Sequence, residues 1–322
     1  MNHPFVMLLR RELWEHRSLW IAPLVWVGIL VIMSTWGTFQ LTRDNDFGEF
    51  ASATSIEELQ DLSESDRREI EKAMALDSDR GQTVFAVSYF MISLLISGFM
   101  SIVVFFYLID SLFSERRDRS ILFWKSLPVS DTQVVLSKFV MAMLVVPIGV
   151  ILLSAVTQLV LLGIWNLRFS NSVIGLMTPD WDMGSWFRAQ VIEAGTMLGG
   201  VMWYAPIAAY FLLLSVWVKR LVFLWAVIPL VAAPLLEFLF LRTSHVAEFL
   251  GHRFGGFVDK MNIDPVTVRI GDHDNHMPRV QELYDAFQLS GMFTSLETWV
   301  GMAAAAGLLF LAIRIRRYRD DS

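Results

Sequence analysis

Six long apolar runs leave this chain few ways to fold. A bilayer core of about 30 Å takes about 20 helical residues at a rise of 1.5 Å each, so uncharged runs of that length read as membrane spans. They fall at 18–41, 84–112, 139–165, 195–218, 221–241 and 298–313. The first holds no charge, the second is uncharged until Asp110, and the fifth carries Glu237 near one end. The second and third exceed one crossing and are expected to tilt or project beyond the bilayer. A mean hydropathy of +0.50 and a charged fraction of 18% agree with this; soluble chains carry roughly 25%. The 24 Phe and 12 Trp suit packing and anchoring in lipid. With no cysteine, disulfides, thiolate metal sites and cysteine catalysis are excluded.

The expected fold is therefore an all-α integral membrane protein: one transmembrane domain over 1–322, with six spans, an N-terminal amphipathic helix at the interface and small helical elements in the outer loops. Six spans put both termini on one side. If that side is the cytoplasm, the inner segments 1–17, 113–138, 219–220 and 314–322 sum to +7, and the outer loops 42–83, 166–194 and 242–297 to −11. Basic residues gather in the shorter inner segments, as the positive-inside rule requires. The first span is longer than a signal-peptide core and is expected to be retained. Residues 4–17 carry Pro4, Phe5, Leu8, Leu9 and Trp14 among Arg10, Arg11, Glu12 and Arg17, a pattern for a helix lying on the inner leaflet or extending the first span. Outside, 65–76 reads as a charged helix, and 278–287 puts Val280, Leu283, Tyr284 and Phe287 on one helical face.

The loop between the second and third spans is the most informative stretch. It reads as a helix exit, a charged cluster (Glu115, Arg116, Arg117, Asp118, Arg119), a short apolar helix (Ile121, Leu122, Phe123, Trp124, Leu127) and a stop at Pro128. Ser130 with Gln133 forms a capping box that starts the next helix. Four consecutive apolar residues on the aqueous side call for a partner or for the membrane surface.

The stretch ERRDRSILFWKSLPVS (115–130), continuing to Leu136, Ser137 and Lys138, resembles the ABC-2 type permeases, the membrane subunits of bacterial ATP-driven exporters. They carry such a charged cluster, such a proline turn and a lysine at the foot of the third helix, and their layout is similar. The resemblance implies that 113–138 is a coupling loop whose helix sits in a groove of the ATPase. It also implies two ATPase subunits, a second permease copy, most simply a homodimer, and a place in the bacterial inner membrane. Phosphate-loop spacing G-x-x-x-x-G-K-[ST] is absent, and the pairs Gly199-Gly200 and Gly255-Gly256 lack the lysine. The chain is thus expected to be no enzyme and to bind no cofactor, with ATP and Mg held by a separate ATPase subunit. Lipid is the other expected partner, and nucleic acid is not one.

Asp110 and Glu237 are the acids within these spans and so the candidate pathway residues. Asp110 is expected to join the charged cluster near Arg116 or Arg117, and Glu237 to touch the outer aqueous mouth. The scarcity of buried charge argues against proton or sodium coupling and fits lipid-like or amphipathic cargo. His273 and His276, with Asp272 and Asp274, offer zinc-type donors. With no second cluster at ligand spacing, the segment reads as a polar loop. Two functions stay open at this level: a permease forming the translocation path of an ABC exporter, or an ABC-type membrane scaffold or sensor that turns ATPase strokes into mechanical signalling. The topology is testable because the chain lacks cysteine. Single cysteines at Ser65 and Asn275 should react with an impermeant maleimide on intact cells, and one at Ser322 should not.

Overall fold

A computed structural model describes residues 4–43, 64–117, 129–169, 183–260 and 290–318. These form helices α1 (Pro4–Glu15), α2 (Ser18–Arg43), α3 (Glu64–Arg117), α4 (Asp131–Val140), α5 (Val146–Phe169), α6 (Met183–Trp217), α7 (Val222–Leu241), α8 (His245–Lys260), α9 (Ser290–Thr294) and α10 (Leu296–Tyr318), and no strand occurs among them. Six helical segments are long and apolar enough to cross a membrane: Ser18–Gly37, Ala86–Arg117, Asp131–Leu167, Met183–Trp217, Val222–Leu241 and Leu296–Tyr318. Each corresponds to one of the six apolar runs.

The helices differ from the sequence reading mainly in length. Residues 65–76 belong to the 54-residue helix α3, which runs unbroken into the second span. α6 begins at Met183, not near Gly195, and so draws Glu193 into a span. The segment 278–287 lies outside the described residues.

The third span has a break with a local cause. Pro147 has no N–H to give, and its ring crowds the carbonyl four residues back. The helix answers with a π turn at Met141–Val145, where the Val146 N–H reaches back to Met141 O. Ser130 starts this span as the sequence predicts: its Oγ accepts the Gln133 N–H at 3.2 Å, and Gln133 Oε1 accepts the Ser130 N–H at 3.2 Å.

The centre of the bundle is α6, which packs most extensively on α10 and α3. Small buried residues line these helices, Ala205, Ala208 and Ala209 on α6 and Ala305 and Ala312 on α10, while Gly199 leaves room for the Met292 side chain of α9. In lipid, helices gain little from hydrophobic association, so close backbone approach and dispersion contacts hold them together. α2 is peripheral. Ile32, Met33 and Trp36 face outward, while Trp26 stacks on Phe99 at 4.9 Å.

α8 returns along the bundle and does not continue outward from α7. Arg242, in the left-handed region at φ 56°, makes the turn. Glu237 then caps the new helix, accepting the N–H groups of His245 and Val246 at 2.9 and 2.6 Å and the Thr243 hydroxyl at 2.8 Å. Farther along, Trp203 Nε1 donates to Arg253 O at 2.9 Å, and the Arg253 guanidinium donates to Trp203 O at 2.6 Å while lying 4.5 Å from the indole centre. A side chain at Gly301 would collide with that guanidinium.

Removing a capping hydroxyl typically costs about 1 kcal/mol. Ser130→Ala should lower the stability of the detergent-solubilised protein by about that much, and Ser130→Asp should largely retain it, as read from thermal unfolding.

Candidate functional site

The first and last described helices and the two helix ends that flank the charged loop meet at one end of the bundle, called the foot below. α1 lies across it, α3 ends there at Arg117, α4 starts there at Asp131, and α10 arrives there with Arg316. At its centre Lys138 is fully buried. Its ammonium lies 2.9 and 3.1 Å from the two oxygens of Glu12 and 3.1 Å from Glu115 Oε1. Glu115 also accepts from Arg11 at 2.9 Å and from Arg316 at 2.9 Å. Arg316 extends the chain to Asp131 at 3.1 Å, and Arg11 extends it to Glu15 at 2.9 Å. The Tyr107 hydroxyl donates to Glu12 Oε2 at 3.0 Å.

Glu12, Glu115, Lys138 and Arg316 are all buried, two anions against two cations. A buried charge is tolerable only with such pairing and hydrogen bonding. The bonds join residues 104, 126 and 201 positions apart in sequence, so they tie α1, α3, α4 and α10 into one body. His16 packs edge-on to Tyr107 at 4.8 Å. Burial, and then the nearby Lys138 ammonium, lower its pKa, which favours the neutral ring.

Arg116 faces a different partner. Its guanidinium donates to Ser215 O at 2.6 Å and Val218 O at 2.7 Å, serving carbonyls that the end of α6 leaves open. Ser215 Oγ accepts the N–H groups of Leu112 and Phe113 at 3.1 and 3.0 Å, pinning α6 to α3 just above the charges. Arg117 lies over the Phe113 ring at 5.9 Å.

Of the residues singled out in the loop, Glu115 is at the heart of this network and Arg116 and Arg117 are on its flank. Asp118, Arg119, Ile121, Leu122, Phe123, Trp124, Leu127 and Pro128 lie outside the described residues, as do His273 and His276. Among the described residues no group of three or more His, Cys, Asp or Glu side chains is placed to hold a metal ion. Asp110 borders a cavity of about 550 Å³ between α3 and the start of α7, together with His16, Phe106, Phe113, Leu221 and Phe223. Glu237 serves as the cap of α8, a structural use.

Three participants escaped the sequence reading. Glu12 reads in the sequence as one charge of the 4–17 helix and Arg316 only as part of the basic inner segment 314–322, and Glu193 falls outside the spans drawn there. Glu193 is buried at the far end of α6, where it meets Ser93 of α3 and Ser154 of α5.

The arrangement defines a polytopic helical membrane protein whose foot is clamped by buried charge at the helix ends that flank residues 118–128. Residues 82–180 match a family model described as ABC-2 family transporter protein. That segment runs from the second span through the charged loop and the third span, the region that carries the resemblance. No curated protein and no solved structure matches the chain.

Removing one partner of a buried charge pair typically costs 3–5 kcal/mol, because the other charge is left uncompensated. Lys138→Met should therefore destabilise the protein by roughly 3–5 kcal/mol, and adding Glu12→Gln to it should recover a substantial part. Thermal unfolding of the single and double variants in detergent measures both.

Proposed function

We propose that this chain is the permease subunit of an ATP-driven ABC exporter, coupled to a separate ATPase subunit through the 113–130 segment. The observation that carries the reading is the family match at 82–180, which covers that loop and the two spans it connects. The foot supports it physically. The loop leaves α3 two residues after Glu115 and ends just before Asp131, so both of its roots are members of the charge network. A push on the loop would not bend one helix alone. It would be passed through Glu115, Lys138 and Arg316 to α1, α4 and α10 together.

In this reading ATP and Mg bind the partner, two ATPase subunits act on two permease copies, and the termini face the cytoplasm from the bacterial inner membrane. The permease supplies the path and the partner supplies the chemistry. The apolar run Ile121–Leu127 docks in a groove of the ATPase, with Glu115–Arg119 flanking it. A buried aromatic anchor in such a groove is worth about 2 kcal/mol or more, so one residue can dominate binding.

Phe123→Asp should abolish co-purification of the ATPase with the tagged permease and stop ATP-driven transport in vesicles. Leu167→Asp, at an exposed helix end remote from the loop, should leave both intact. Full ATPase binding and full transport by Phe123→Asp and by Leu122→Asp would reject the coupling role. Full binding and ATPase stimulation with no transported cargo in any substrate screen would favour mechanical signalling over export.

A further inference from the structure

The far end of the bundle holds a second polar layer. Glu193 on α6 and Ser215 at the foot are 22 residues apart, as are Ser93 and Glu115 on α3. At 1.5 Å per residue each pair spans about 33 Å, close to the thickness of a hydrocarbon core. The foot and the Glu193 layer thus bracket the apolar stretch of the bundle. The foot is rich in ions, whereas the contacts of Glu193 are neutral.

The bonding pattern around Glu193 bears on its protonation state. Ser93 Oγ donates to Glu193 Oε2 at 2.7 Å and accepts from Gln158 Nε2 at 3.1 Å. Gln158 Nε2 also reaches Tyr89 O at 3.3 Å, and Gln158 Oε1 accepts from Trp186 Nε1 at 3.1 Å and Gln190 Nε2 at 2.7 Å. Ser154 Oγ lies 3.0 Å from Ile151 O and is also hydrogen-bonded to Glu193 Oε1. A serine hydroxyl has one proton. If it goes to the carboxylate, two oxygens face each other across the Ile151 contact with no hydrogen between them. If Glu193 carries a proton on Oε1 and gives it to Ser154, the hydroxyl is free to bond Ile151 O and both contacts of Ser154 are satisfied.

Charge gives the same answer. On α6 the nearest charged residue toward the helix start is the exposed Arg188, and on the facing stretch of α3 (86–97) the titratable residue is Tyr89. α5 brings Ser154, Thr157 and Gln158 and no charged group among its described side chains, and α2 offers no charged described side chain. α10 brings Glu297, which pairs with His252 and Lys260 of α8, and Arg253 of α8 is bound to Trp203. Among the described residues the ionised form of Glu193 would be a buried charge without a counter-ion, which is costly.

We propose that Glu193 is a proton-binding site, occupied in this conformation, whose proton latches the far ends of α3, α5 and α6 together. Losing the proton leaves a carboxylate held by neutral hydroxyl donors with no counter-ion among the described residues, so water must enter to solvate the charge, and release and separation of these ends are coupled. The inference rests on this geometry alone and holds whether or not the chain works with an ATPase.

Infrared spectroscopy of the full-length protein in lipid nanodiscs is the test. Near neutral pH the wild type should show a protonated-carboxyl C=O band that Glu193→Gln removes. Glutamine can mimic the neutral acid, its Nε2 donating to Ser154 and its Oε1 accepting from Ser93. Its thermal midpoint should therefore match the wild type near neutral pH and exceed it at alkaline pH. If Glu193→Gln fails to fold, Ser154→Ala should shift the band by removing its acceptor. Absence of the band in the wild type, a band that neither variant alters, or identical alkaline responses of wild type and Glu193→Gln would each overturn the proposal.

Discussion

Two carboxylates share one buried ammonium at the foot, and much of the architecture there follows from that fact. Lys138 contacts Glu12 and Glu115 at 2.9–3.1 Å with no solvent exposure at its own side chain. None of these charges is tolerable without the others. α1 cannot drift across the membrane surface as an ordinary amphipathic helix would, because Glu12 would leave its cation behind. α10 cannot slide, because Arg316 closes the circuit to Glu115 and Asp131. The charges do little to favour folding over an apolar packing of the same shape. What they specify is a single arrangement of four helices around the roots of one loop.

Above the foot the bundle is held by other means. Close contact between α6 and α10 goes with buried alanines on both helices, which let the backbones approach without costly side-chain ordering. The π turn before Pro147 and the left-handed residues at both ends of α7 mark places where the helices depart from regular geometry. α8 is folded back and pinned by Arg253 and by Glu237. The mix is one of a stiff charged base, an apolar middle and a far polar layer joined by hydrogen bonds that involve no ion pair. Force applied at the loop would meet the stiffest part of the molecule first.

Much of this was legible in the sequence. Each of the six apolar runs corresponds to a membrane-length helix, and the capping box at Ser130 forms as written, because both signals are local. Glu115 and Lys138 stood out through the resemblance in the loop. Glu12 and Arg316 did not, because each sits in a charged neighbourhood that hides its direction. Their signal lies in periodicity. Phe5, Leu8, Leu9, Glu12 and Leu13 fall on one face of α1, and Ala305, Leu309, Ala312 and Arg316 fall on one face of α10. A charge on an apolar stripe must find a partner inside. Glu193 was lost differently, through a span drawn twelve residues too short. The partner identities were not legible, since most of them join positions far apart in sequence, 104 for Arg11 and Glu115, 126 for Glu12 and Lys138 and 201 for Glu115 and Arg316.

The claim that the foot is one rigid unit is open to a direct distance measurement. Val6 on α1 and Tyr318 on α10 are both exposed, and their helices are linked at that end through Arg11, Glu115 and Arg316. With nitroxides at these two sites in lipid nanodiscs, double electron–electron resonance should give one narrow distance distribution, and Lys138→Met should broaden it. A broad distribution in the otherwise native chain, or a narrow one that Lys138→Met leaves untouched, would contradict the account.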